Sequence, residues 1–126
     1  MKLLGEFYKV VSDSPSPSGH EYVIALNPEH FIYGAHFPGE PVTPGVCIMQ
    51  IAVELLSQAC GRRMYLHCVR NVKFLNVITP EEGRLIRYSL SGIGGQESEF
   101  KVQVTVSSDD MIFAKLSMVC QPVPVQ

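Results

Sequence analysis

The chain has 126 residues, 46% hydrophobic and 17% charged, which suits one globular domain able to close its own core. A formal net charge of −2 leaves no basic excess for neutralising phosphates and argues against nucleic acid as a main partner. No apolar run outside one central segment approaches transmembrane length, and MKLLGEFYKV at the N-terminus lacks the features of a signal peptide, so no membrane span and a cytoplasmic location are expected.

Residues 7–12 and 20–26 are rich in β-formers and flank SDSPSPSG, whose Ser, Pro and Gly read as a turn. A first hairpin is expected there. Asn27-Pro28 ends its second strand, and EHFIYGAHF predicts a short turn of helix followed by a loop. That loop opens at His36 and is punctuated by Pro38, Gly39, Pro41 and Pro44.

From Val46 to Cys60 neither Gly nor Pro interrupts, which predicts a long helix. Thr43 suits the N-cap, Pro44 the first helical position and Gly61 the C′ position. Val46, Cys47, Ile48, Met49, Ile51, Ala52, Val53, Leu55, Leu56 and Ala59 cover nearly the whole circumference, the pattern of a buried helix. Gln50, Glu54, Ser57 and Gln58 fall on one stripe. A polar stripe on a buried helix beside a His has the layout of a lined site, and equally of an edge meeting solvent or a subunit interface.

Four strands are expected after the helix, at 64–75, 84–91, 98–107 and 111–120. SGIGGQE and Ser108-Asp109-Asp110 supply the turns, and QPVPVQ is a frayed tail. No helix follows GIGG, so a hairpin turn explains it better than a phosphate cradle. One long helix can bury its circumference only if something wraps it. An α+β fold with a curved antiparallel sheet folded around the helix meets that need, and its open edge invites dimerisation.

Cys47, Cys60, Cys68 and Cys120 form no C-x-x-C pair and no zinc-ligand spacing, and read as small buried hydrophobes. Cys47 also lies in the first helical turn, where the helix dipole could acidify a thiol. His20, His30 and His67 read as surface or core histidines.

HFPGEPVTPGV at 36–46 resembles the signature of the hotdog-fold (3R)-hydroxyacyl-[acyl-carrier-protein] dehydratases, the FabZ type more than the FabA type. The likeness runs through the helix to Gly61 and more weakly through NVKFLNVITP at 71–80. It implies a single hotdog domain over residues 1–126. It also implies a lyase that removes water from a 3-hydroxyacyl thioester to give the 2-enoyl thioester, in fatty acid or related lipid or polyene synthesis, with no cofactor and no metal.

By the same resemblance His36 occupies the base position, and Gly45 the place where a helix N-terminal N–H holds the thioester oxygen. Val46 and Phe37 then lie beside the substrate. The family carries an acid fourteen positions after the His, and here that position is Gln50. Glutamine can orient a hydroxyl but gives up no proton at neutral pH. Glu54 stands one helical turn further on, about 6 Å of helix rise, where the FabZ-type pattern has Gln. The acid and the amide are exchanged along the stripe, and His36, Gln50 and Glu54 are the expected catalytic set.

The family's site lies at a dimer interface, with the His and the acid from different subunits. The expected assembly is a homodimer, with a hexamer or a heterodimer with another hotdog subunit as alternatives. Acyl carrier protein or acyl-CoA would present the substrate. Arg62, Arg63, Arg70 and Lys73 would meet an acidic carrier or its phosphopantetheine phosphate, or form a solvated strand end. Phe31 and Phe37 would line an acyl tunnel or plug the core. Two other readings keep the fold: a catalytically impaired acyl-binding subunit of a hotdog heterodimer, and a thioesterase in which Glu54 activates water. The HFPG loop argues against the thioesterase. Glu81-Glu82 departs from the Gly-Asp that the family has after its Pro.

Overall fold

The first β-rich runs form the expected hairpin, but its strands are longer: β1 spans Tyr8–Ser16 and β2 spans Gly19–Leu26. Pairing continues to Ser16 opposite Gly19, so most of SDSPSPSG is strand and only Pro17-Ser18 turns. Pro15 is tolerated because β1 is an edge strand and its missing N–H costs no ladder bond. The computed structural model describes residues 2–36, 39, 41–96 and 98–124, with the backbone alone at His36 and Gln96.

Two helices follow, α1 (Phe31–His36) and α2 (Gly45–Cys60). Among the described residues four strands come after them: β3 (Met64–Phe74), β4 (Leu85–Gln96), β5 (Glu99–Ser108) and β6 (Met111–Pro122). They join β1 and β2 in one six-stranded sheet of order β1-β2-β4-β5-β6-β3, antiparallel throughout. The architecture is the expected α+β hotdog fold, a curved antiparallel sheet with one long helix.

Inward and outward positions alternate as β-strand geometry requires. Val102, Val104 and Val106 of β5 are buried while Lys101 and Gln103 are exposed. Ile86, Tyr88 and Leu90 of β4 and Leu116 and Met118 of β6 join them against Ile51, Ala52, Leu55 and Leu56 of α2. The Tyr88 hydroxyl donates to the Ile48 carbonyl at 3.0 Å, tying the sheet to the helix inside the core.

Three local expectations are corrected. GIGG is strand: β4 runs on to Gln96, with a register shift between Ser91 and Gly94. Gly92 lies within that shift with φ 61°, and past it Gly95 (φ 125°) is at close backbone approach, where a Cβ would stand 2.1 Å from the Glu99 carbonyl oxygen. Thr43 does not cap α2; Pro44 holds the N-cap place, extended at φ −62° and ψ 144°, with no side-chain cap bond. Thr43 is turned into the core instead, its Oγ1 3.0 Å from the Tyr33 hydroxyl and its N–H donating to Ile78 at 2.8 Å.

The third correction concerns the circumference of α2. Val46 is 56% exposed, so the apolar circumference is broken at that position, although Cys47 and Ile48 beside it in the first turn are buried. The far end behaves as expected. Gly61 is left-handed, its N–H donating to Gln58 and that of Arg62 to Ser57, which closes the helix.

Candidate active site

The N-terminus of α2 opens on a cleft. Its first turn bonds run from Cys47 and Ile48 N–H to the Pro44 carbonyl, so Gly45 and Val46 carry N–H groups without an intrahelical acceptor. Such groups, with the helix dipole behind them, favour an oxygen bearing negative charge. A cavity of about 490 Å³ lies there, walled by Thr43, Gly45, Ile48, Phe74, Val77 and Ile78. The segment after β3 is held by Leu75 N–H to the Phe113 carbonyl at 2.8 Å and by the Asn76 side chain to the Ile112 carbonyl at 2.8 Å. Phe74 roofs the first turn. The ring is so close to Gly45 that a Cβ there would stand 2.8 Å from it.

The polar stripe of α2 lines a second cavity, of about 770 Å³, whose wall includes Leu4, Gln50, Glu54, Ser57, Arg62 and Tyr65. Glu54 is its most heavily bonded group. One carboxylate oxygen accepts the Leu3 N–H at 2.8 Å and the Gln50 side-chain amide at 3.0 Å. The other accepts the Leu4 N–H at 2.8 Å and the Tyr8 hydroxyl at 3.1 Å. Burial, then the Glu54 carboxylate, pushes the Tyr8 hydroxyl far above the ordinary tyrosine range, so it stays a donor. Ser57 bonds back to the Val53 carbonyl and accepts the Met64 N–H at 3.0 Å, pinning the start of β3 to the helix.

Gln50 and Glu54 therefore meet, as adjacent members of one stripe. Gly45 opens on the other cavity. His36 ends α1 and Phe37 follows it; the His36 side chain and all of Phe37 lie outside the described residues. Val46 is exposed on the first turn of α2. Phe31 plugs no core, being 75% exposed and stacked on His30. Cys68 is exposed, unlike a buried hydrophobe, and burial pushes the Cys47 thiol up rather than toward the acidified state of a nucleophile.

Four participants are absent from the sequence reading. Phe74 was legible only as a strand residue, and no local pattern links Leu3, Leu4 or Tyr8 to a helix some fifty positions away.

A curved antiparallel sheet with one long helix, the N-terminus of that helix opening a cleft, defines a hotdog-fold protein. A family model described as ApeI dehydratase, ApeI-like, matches residues 13–115, and the chain belongs to that family. It is 30% identical over 101 residues to the 3-hydroxyacyl-[acyl-carrier-protein] dehydratase FabZ of Ligilactobacillus salivarius (strain UCC118), covering 75% of this chain and 71% of that one. To the enzyme of the same name from Latilactobacillus sakei subsp. sakei (strain 23K) it is 28% identical over 97 residues, 71% and 69% of the two chains. Among solved structures, a chain of the dehydratase heterocomplex ApeI:P from Xenorhabdus doucetiae superposes with a TM-score of 0.66 at 14% identity, covering 89% of this chain and 96% of that one. At that identity the superposition speaks for the fold alone.

Proposed function

We propose that this protein removes water from a 3-hydroxyacyl thioester, presented by an acyl carrier protein or by coenzyme A in the cytoplasm, to give the 2-enoyl thioester. The observation that carries the reading is the helix N-terminus at Gly45 opening on its cleft, in a chain of a dehydratase family. The thioester oxygen accepts the Gly45 N–H, and the negative charge that grows on it as C2 loses its proton is stabilised by the helix end.

His36 takes the C2 proton. The electron pair of the C2–H bond becomes the C2=C3 double bond as the C3–O bond breaks. Gln50 has no proton to give, so the imidazolium formed on His36 returns its proton to the departing oxygen, which leaves as water. Gln50 orients that hydroxyl, and Glu54 is paired with Gln50 in handling it. Val46 and Phe37 flank the acyl chain. Because Gly45 and the Gln50–Glu54 pair open on different cavities, a site that uses both is completed by two subunits. That favours a dimer, whether with a second copy, in a hexamer of such dimers, or with another hotdog chain.

Gln50 at the family's acid position favours one alternative, a subunit whose catalytic acid comes from a different hotdog partner; the Xenorhabdus dehydratase is named as a heterocomplex. The deciding experiment is turnover of 3-hydroxyacyl thioesters by the purified protein beside His36→Ala and Gln50→Glu. An active wild type with His36→Ala reduced by about a hundredfold or more supports the proposal. An inert wild type and an active Gln50→Glu would assign the chain to the heterodimer.

A further inference from the structure

We infer that Glu54 is a positioning residue, and that the N-terminal segment Lys2–Leu4 is a strap that closes on its carboxylate and thereby fixes the amide of Gln50. The inference rests on the dehydratase reading for its kinetic consequence and on geometry for the rest. A carboxylate offers about four lone-pair sites, and Glu54 accepts from Leu3 N–H, Leu4 N–H, Tyr8 Oη and Gln50 Nε2, two donors to each oxygen. No site is left for a substrate hydroxyl or a water. With its lone pairs so engaged, Glu54 acts on the reaction through Gln50 and not by touching the reacting atoms.

The strap is anchored apart from Glu54 as well. Leu3 is 3% exposed and packs in the core. Its carbonyl accepts the Phe7 N–H at 2.9 Å, and the Gly5 N–H donates to the Tyr8 carbonyl at 2.8 Å, which folds the segment back against the start of β1. Two of the four donors are main-chain N–H groups that neither titrate nor rotate. Glu54 is thus held from the strap side, and the Gln50 amide is the partner it orients: reversing that amide would set Oε1 against a carboxylate oxygen. The donor end of Gln50 is committed to Glu54, and Oε1 is turned away from it.

Glutamine at position 54 would replace one acceptor oxygen by a donor and oppose two of the four donors. The test uses the full chain as wild type, Glu54→Gln, Gln50→Ala, the double variant and Tyr8→Phe. In Glu54→Gln, hydrogen exchange at the Leu3 and Leu4 amides and at Gln50 Nε2 should rise by about tenfold, and kcat should fall by about tenfold with little change in KM. In the Gln50→Ala background the same change at 54 should leave kcat within about twofold, because its effect passes through Gln50. Equal losses of kcat in both backgrounds, or unchanged exchange at Gln50 Nε2, overturn the inference. Tyr8→Phe keeps the ring in the core and removes one donor; should Glu54→Gln fail to fold, it must show the same signs at about threefold, and no change in it overturns the inference. A wild type that turns over no 3-hydroxyacyl thioester refutes the dehydratase reading, and the strap is then decided by the exchange of Gln50 Nε2 alone.

Discussion

Phe74 lies against Gly45 so closely that a Cβ on residue 45 would stand 2.8 Å from Cζ and 3.0 Å from Cε2 of the ring. The end of β3 thus covers the helix turn whose N–H groups face the cleft. Overpacking usually costs about 1–3 kcal/mol, but Phe74 is 49% exposed and its ring can swing outward. Gly45→Ala should therefore lose about 1 kcal/mol or less in thermal unfolding, while the displaced ring disturbs the thioester site. The expected kinetic result is a KM about tenfold higher for a 3-hydroxyacyl thioester, largely restored by combining Gly45→Ala with Phe74→Ala. A double variant no better than Gly45→Ala alone would show that the ring is not what the methyl group displaces.

Tyr88 offers a test of the core in alkali. Its hydroxyl donates to the Ile48 carbonyl at 3.0 Å, and burial raises its pKa well above the ordinary value. Tyr33 is pushed up to about 12 by burial, against the opposing influence of its bond to Thr43. Both folded-state values exceed the unfolded value near 10, so the folded protein binds more protons there. Their contribution to stability is complete below about pH 10 and is lost as pH rises through the folded values. Urea midpoints should hold steady from pH 8 to about 10 and fall steeply above that. Tyr88→Phe should cost about 1–3 kcal/mol at pH 8 by leaving a buried carbonyl unpaired, and should flatten the alkaline fall. An unchanged alkaline slope in Tyr88→Phe would count against this account.

The strand pattern of β5 was legible because its period of two is local: Val102, Val104 and Val106 face in whatever the partner strand does. GIGG was not, because a bulge is a relation between two strands and its residues alone resemble a turn. Thr43 has the chemistry of a cap, yet the hydroxyl it meets belongs to Tyr33 on another element. The same division runs through the site. The stripe of Gln50 and Glu54 is a matter of helical spacing and could be read; what covers it arrives from the start of the chain, and no periodicity signals that.

The remaining edge of the sheet bears on assembly. β3 pairs with β6 on one side and ends the strand order on the other, and beyond its length Leu75 and Val77 are exposed with Phe74 and Val72. The opposite edge, β1, carries Pro15, which offers no N–H to a further strand, whereas the two register shifts of β3, between Leu66 and Cys68 and between Val69 and Asn71, lie short of the exposed stretch from Val72. Association is therefore expected along β3, and sedimentation velocity at micromolar protein should show a dimer that Val72→Lys weakens by about tenfold or more. If each site combines His36 of one subunit with Gln50 of the other, two variants of lowered activity should complement. Mixing His36→Ala with Gln50→Ala and letting the subunits exchange should restore about a quarter of wild-type turnover, since half the dimers are mixed and each mixed dimer has one intact site. A monomeric wild type would remove the interface, whereas a dimer without complementation would place both residues in the same subunit's site.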